Sequence, residues 1–291
     1  MLIGNRISKI SNQLPKNILF VAIERNGEAL IPNGDTIFEE HDRVYVMGQI
    51  TGITNFFKLL ERYIQKISTV FISGGHMSSY YLTKIITKLG MNVKIIEIDP
   101  KRCIELSETL EEATIIEGDG TDQETLDSEN LEEADAFIAM TGRDEQNLIT
   151  AMYALEKGVD KVITVSTKVK FSSIINKLGL YSIVDPKVLT TGHILGYVRG
   201  IQNSKGSIVD SLHRIMNGKA EVISFIANSS TKFLNIPIKD LPLRKDILIA
   251  CIQQRNNVTI PHGDVKISVG DKVLIVIKGC YIIKDLNDIL Q

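Results

Sequence analysis

Apolar residues recur along this chain at two different spacings. Between residues 66 and 200, short runs rich in Val and Ile sit at 69–73, 92–98, 113–117, 136–140, 161–166 and 182–184. Runs of that length and composition suit strands buried on both faces. Stretches at 80–89, 100–110 and 145–156 separate some of them, with apolar residues at helical spacing and charges on the other side. Strand and helix in alternation predict an α/β fold with a parallel, doubly wound sheet.

On either side the pattern changes to small β units, and the two flanks repeat one another. Ile18 to Gly48 and Ile247 to Ile277 agree at nine positions without a gap, 229 residues apart. The shared residues include Ile31-Pro32-x-Gly34-Asp35 against Ile260-Pro261-x-Gly263-Asp264, and Asp42-x-Val44 against Asp271-x-Val273. Each copy reads as strand, turn, short strand, Pro-x-Gly-Asp turn and last strand. The strands are expected at 18–24 and 44–48, and at 247–253 and 273–277, with short helices at 50–60 and 281–290. Asn26-Gly27 and Arg255-Asn256-Asn257 supply residues that tolerate positive φ. A further strand, 221–227, precedes the second copy only. Residues 189–216 read as a long, interrupted helix or hinge, bendable at Gly192, Gly196 and Gly200. The expected domains are 1–62, 66–200 and 201–291.

The chemistry gathers where the first strand of the α/β segment meets its helix. Gly74-Gly75-His76-Met77-Ser78-Ser79 has the outline of the G-x-G-x-x-G turn that places backbone N–H groups and a helix N-terminus under a phosphate. His76 and Ser79 stand where that motif has its second and third glycines. The His76 ring either contacts phosphate or blocks it, and Ser78 and Ser79 can cap the helix. Glu97 closes the second strand, 23 residues after Gly74, and suits ribose hydroxyls. Asp99, before Pro100, reads as a helix cap. Asp119, Gly120 and Thr121 follow the third strand, beside an adenosine pocket or as a tight turn with Thr121 or Asp122 capping a helix. Met140 and Thr141 follow the fourth strand at the switch point, and Asp144 is expected to cap the next helix.

Composition narrows the classes. A net charge of −2 gives no basic footprint for nucleic acid. The three cysteines are scattered, with neither disulfide framework nor CxxC metal spacing, as suits a reducing cytosol. No apolar run approaches the ~20 residues of a membrane span. The five histidines show no metal spacing, and no nucleophile elbow or Walker A loop occurs, so no catalytic or metal residues are expected.

The order small β domain, nucleotide fold, small β domain resembles the RCK (KTN) regulators of potassium transport. The resemblance rests on VFISGGHMSSYYLTKIITKLGMNVKIIEID, on Gly118–Asp122, on AMTGRDEQN at 139–147 and on the paired IPxGD motifs. It implies a Rossmann-like RCK_N domain flanked by two small α+β RCK_C subdomains. It implies a non-enzymatic, nucleotide-sensing subunit at the cytosolic face of a Trk-type potassium-translocating membrane subunit. It also implies assembly as a homo-oligomer, a dimer or tetrameric ring, and binding of NAD(H) or an adenine nucleotide such as ATP or ADP. The family's ligand positions fall on Gly74, Gly75, His76, Met77, Ser78, Glu97, Met140 and Thr141, while Val165 stands where a basic residue is common. By the same resemblance the chain is expected to begin inside its first RCK_C subdomain, leaving a sheet edge for another chain to cover. Two other readings stay open: a scaffold that has lost its nucleotide, and an NAD-dependent oxidoreductase.

Overall fold

The computed structural model describes residues 2–15, 17–60, 66–167, 175, 179–202, 208–255, 257–279 and 283–291. The chain forms two compact units, Gln65–Val188 and a second that joins Met1–Ile64 to Leu189–Gln291.

The first repeat copy opens with a turn of helix, α1 (Ile7–Ile10), and a three-stranded antiparallel sheet. Its central strand β1 (Ile18–Arg25) pairs with β2 (Glu28–Leu30) and with β3 (Arg43–Gly48), and α2 (Ile50–Leu59) follows. Asn26 and Gly27 both take positive φ, 52° and 77°, as a two-residue hairpin turn requires. One face of the sheet buries Ile18, Phe20 and Ile23, where Phe20 meets Phe38 and Phe56 edge-on at 5.0 and 5.7 Å.

The α/β unit then runs β4 (Thr69–Ser73), α3 (Met77–Thr87), β5 (Asn92–Glu97), α4 (Pro100–Thr109), β6 (Ala113–Glu117) and α5 (Gln123–Ser128). It continues with β7 (Ala136–Ala139), α6 (Asp144–Glu156), β8 (Lys161–Val165) and β9 (Ser182–Val184); α7 (Pro186–Gln202) follows, and from Leu189 on it belongs to the other unit. The six strands pair in parallel in the order β6-β5-β4-β7-β8-β9, so the expected doubly wound sheet is present. Along β4, Val70 and Ile72 enter the core with Leu106, while Phe71 enters the opposite core with Leu126, Leu131 and Phe137. That alternation is the two-residue period of a strand covered by helices on both faces.

The second copy is a five-stranded antiparallel sheet, β10-β11-β14-β12-β13. Its strands are β10 (Ile208–Ile215), β11 (Ala220–Ile226), β12 (Ile247–Gln254), β13 (Asn257–Thr259) and β14 (Lys272–Lys278). The β1–β3 ladder slips between Phe20 and Ala22, and the β12–β14 ladder slips at the equivalent place, between Ile249 and Cys251. The two sheets also pack together: Val21 lies with Ala250 and Val276, and Ala22 and Ala29 lie with Met216 and Ala220. The Lys219 ammonium donates to the Gly27 carbonyl across this contact.

Two expectations are corrected. Residues 189–216 are not one interrupted helix, because α7 ends at Gln202 and β10 occupies Ile208–Ile215. At the C-terminus a single 3-10 turn, Leu286–Ile289, capped by Asp285, replaces the expected helix; residues 280–282 lie outside the described ones. Asn256 of the second hairpin turn also lies outside them, though Arg255 before it takes φ 55°. Among the described strands β3 pairs with β1 alone, whereas β14 has β11 on its other side.

Candidate functional site

A cleft of about 350 Å3 opens at the carboxyl ends of β4, β5, β6 and β7. Parallel α/β sheets place ligand sites there because strand order reverses and two helices start on either side. Gly74, His76, Glu97, Asp119, Gly120 and Thr121 line it, with Thr141 opposite. Gly75, Met77, Ser78 and Met140 are outside this lining: Met77 and Ser78 are exposed on α3, and Met140 packs against the core beneath.

The turn after β4 is held on every side. Gly74 takes φ +103°, and a Cβ there would meet the Met140 carbonyl oxygen at 2.9 Å and Thr141 Cα at 3.0 Å, so only glycine fits. Its amide donates to the Ile96 carbonyl at 2.8 Å. The buried Ser79 hydroxyl donates to the Gly74 carbonyl, so the residue in place of the third glycine ties the turn to the helix. Neither Ser78 nor Ser79 caps α3. His76 is the N-cap, and its side chain makes no capping bond. Its Nε2 lies 3.6 Å from where a Cβ on Gly142 would stand, which sets the ring against the β7 loop.

Glu97 does more than end a strand. Its Oε2 accepts from the Gly75 amide at 2.5 Å and its Oε1 from the Asp99 amide at 2.9 Å, while Arg102 Nε donates to the Gly75 carbonyl at 2.8 Å. The carboxylate is buried and fixes two loops. Glu97→Ala leaves two amide donors without their acceptor, and about 2 kcal/mol of stability should go with them. Urea denaturation with an unchanged m-value would measure it.

On the β6 side, the Ser73 hydroxyl donates to the Gly120 carbonyl at 2.7 Å. Asp119 Oδ1 accepts from the Thr121 amide at 2.9 Å and hydroxyl at 2.7 Å. Those bonds, with the Arg143 charge nearby, hold the Asp119 carboxyl below its ordinary range, so it is ionised near neutrality. Asp122 caps α5 and Asp99 caps α4, as the sequence suggests.

On the β7 side, the Thr141 amide and hydroxyl donate to the buried Asn147 Oδ1 at 2.9 and 2.6 Å. Asn147 Nδ2 donates to the carbonyls of Thr141 and Val165, both at 3.0 Å. Asp144 does not cap α6; its Oδ2 accepts from the Thr167 amide and hydroxyl, both at 2.8 Å, and pins the β8 loop. Ile98, Arg143 and Gln146 also line the cleft and escape the sequence reading. Arg143 could have been found: it is the one cation in the loop after β7, directly after a glycine. Among the described residues, no group of three or more His, Cys, Asp or Glu side chains could hold a metal ion. Among them no helix is long and apolar enough to cross a membrane.

The TrkA-N domain family matches residues 70–186, and the TrkA-C domain family matches twice, at residues 1–61 and 222–279. The Trk system potassium uptake protein TrkA homolog 2 of Methanosarcina mazei is 30% identical over 275 residues, 94% of this chain and 60% of that protein. The Trk system potassium uptake protein TrkA of Halomonas elongata is 28% identical over 297 residues, 100% of this chain and 63% of that protein. The chain therefore spans about three-fifths of the length of these relatives. In fold it is similar to the GsuK RCK domain, with a TM-score of 0.51 at 13% identity over 94% of this chain and 58% of that one. It is equally similar to a GsuK channel bound to NAD, TM-score 0.51 at 13% identity over 95% of this chain and 48% of that one.

Proposed function

From a chain that belongs to the family of TrkA-N and TrkA-C domain proteins, we propose a regulatory subunit of Trk-type potassium uptake whose α/β unit senses a nucleotide. The observation that carries this is the clamped Gly74-Gly75 turn, with Glu97, Asp119 and Arg143 around one cleft. NAD(H), ATP or ADP would set phosphate over the turn at the N-terminus of α3 and ribose toward Glu97. A carboxylate has about four acceptor positions, so two backbone amides do not exhaust it. Arg143 and His76 would face the phosphates. None of these groups forms a proton-transfer pair with a nucleophile, so the site binds and orients, and no reaction is assigned to it.

Regulation then follows from differential affinity. A ligand favouring one arrangement tenfold supplies about 1.4 kcal/mol per site, so several copies in a ring give a firmer switch than one. The partner would be a membrane subunit that translocates potassium, with this chain peripheral to its cytosolic side.

The test is thermal unfolding with NADH, NAD, ATP and ADP. A ligand at about 100 times its Kd should add roughly 2.7 kcal/mol. No shift with any of the four rejects nucleotide sensing by this unit. One observation favours the scaffold reading instead: the Gly75 amide is already held by Glu97 Oε2, and the His76 ring lies against the β7 loop. His76→Gly separates the two. Nucleotide binding gained only in the variant identifies a blocked site, whereas binding present in wild type and weakened in the variant identifies His76 as a ligand contact.

A further inference from the structure

The repeat makes one β sheet a template for the other. A shift of 229 residues carries β3 onto Lys272–Ile277 of β14. Both sides of β14 are paired, and β11 runs antiparallel along it from Ala220 opposite Lys278 to Ile226 opposite Lys272. Val273, Ile275 and Val276 are fully buried there. The outer side of β3 has no strand among the described residues, and Val44, Val46 and Met47, at the same three positions, are only half-buried. From Val44 to Gly48 this edge carries no proline and no charge, the devices that ordinarily keep an edge from pairing.

A second observation lies on the facing sheet. Ala220, where β11 starts, and Met216 before it cover Ala22 and Ala29, which are 0 and 2% exposed. The same shift carries Ala22 and Ala29 onto Cys251 and Val258. Cys251 is half-buried and Val258 is 46% exposed. Gln49, the residue that corresponds to Lys278, donates from Nε2 to the Val258 carbonyl at 3.4 Å. A strand laid on β3 in the register of β11 would start opposite Gln49 and so lie over Cys251 and Val258. One added strand therefore covers both sets of partly exposed apolar residues.

We propose that the β3 edge and the Cys251–Val258 patch form one docking surface for an extended segment of a different polypeptide, added antiparallel to β3 as β11 is added to β14. Main-chain hydrogen bonds supply the affinity in such an addition, and alternate side chains supply the selectivity. β11 gives the chemistry of the segment. Its first residue is small, because Cys251 and Val258 are bulkier than the alanines they correspond to, and apolar side chains follow on both faces. A second molecule of this chain is not the occupant, since its own strand of that chemistry is paired along its length with β10 on one side and β14 on the other. The proposal goes beyond a regulatory role and does not depend on the α/β unit binding a nucleotide.

The probe is a labelled peptide with the sequence of Ala220–Ala227, titrated into the full chain and read by fluorescence anisotropy. It should bind saturably and slow the alkylation of Cys251 by iodoacetamide at least fivefold, followed by mass spectrometry of the Cys251 peptide. Successive residues of a strand face opposite ways, so one alternate set of the peptide's amides points at β3 and the other away from it. N-methylation of the first set should abolish binding, and methylation of the second should change it less than twofold. Val258→Glu, at an exposed position, should weaken binding at least tenfold while melting stays as in wild type. The proposal is overturned if the peptide fails to bind at millimolar concentration or if the two methylated peptides behave alike. It is also overturned if binding leaves Cys251 alkylation unchanged or is indifferent to Val258→Glu.

Discussion

Alanine at position 74 should cost the α/β unit about 3 kcal/mol and remove any nucleotide-induced stabilisation. Two penalties add. Gly74 sits at φ +103°, where a Cβ costs roughly 1–2 kcal/mol. The same Cβ would press on the Met140 carbonyl and on Thr141 Cα, which are backbone atoms that cannot turn aside. Overpacking of that kind typically costs about 1–3 kcal/mol. Relief by moving the β7 loop would also loosen Thr141 from Asn147 and so open the cleft wall. Gly90→Ala is the matched control, since Gly90 also has positive φ, 81°, but nothing lies within 4 Å of its Cβ. It should show the backbone penalty alone. Denaturation curves of the two variants measure the difference, and equal losses would mean that the contact with the β7 loop contributes nothing.

The second large effect lies in the other unit. Asp42→Ala should cost about 3 kcal/mol. The Asp42 side chain is 2% exposed and accepts from Arg25 Nε and Nη2, both at 2.8 Å, and from the Glu39 amide at 2.9 Å. Removing one partner of such a pair leaves a largely desolvated charge behind, with a loss of about 3–5 kcal/mol. Arg25 keeps Glu39 and the Ile37 carbonyl, which places the loss at the lower end. The repeat supplies the comparison. At the equivalent turn Asp271 accepts from the neutral Gln254 amide at 2.9 Å and from the Ser268 amide at 2.8 Å. Asp271→Ala should therefore cost less, about 1–2 kcal/mol. Acid gives a second readout. The Arg25 hydrogen bonds hold the Asp42 carboxyl below its ordinary range. Its contribution is then complete above the unfolded carboxyl pKa of about 4 and is lost as pH falls through the lower folded value. The gap between wild type and Asp42→Asn should be widest near neutrality and should shrink as pH falls from about 4 to that folded value.

The parallel sheet could be read from the chain because its strands are short Val- and Ile-rich runs between clear turns, and the duplicated motifs exposed the flanking sheets. β10 escaped for a physical reason. Its register slips between Val209 and Ser211, so Val209 and Leu212 both point into the core three residues apart, and the two-residue period that announces a strand is broken. At the site, the sequence singled out Glu97 as a carboxylate at a strand end, but not the Gly75 and Asp99 amides that it holds. Ser79 looked like a lost glycine, yet its hydroxyl supplies a bond to Gly74 that no glycine could make. Asn147 was visible only as part of a motif; its four bonds reach Thr141 and Val165, which lie on two different strand ends. Such roles depend on contacts between segments distant along the chain, which residue spacing does not encode.

The packing of the first repeat copy on the second, through Val21, Ala250 and Val276, has a consequence for how the protein behaves on dilution. Two separate β domains meeting through that surface would come apart as concentration falls. Here the chain tethers them, and a tether holds its two ends at an effective concentration that dilution of the protein does not change. The pairing is thus independent of expression level, and neither copy has to recognise itself. Each side is free to change alone.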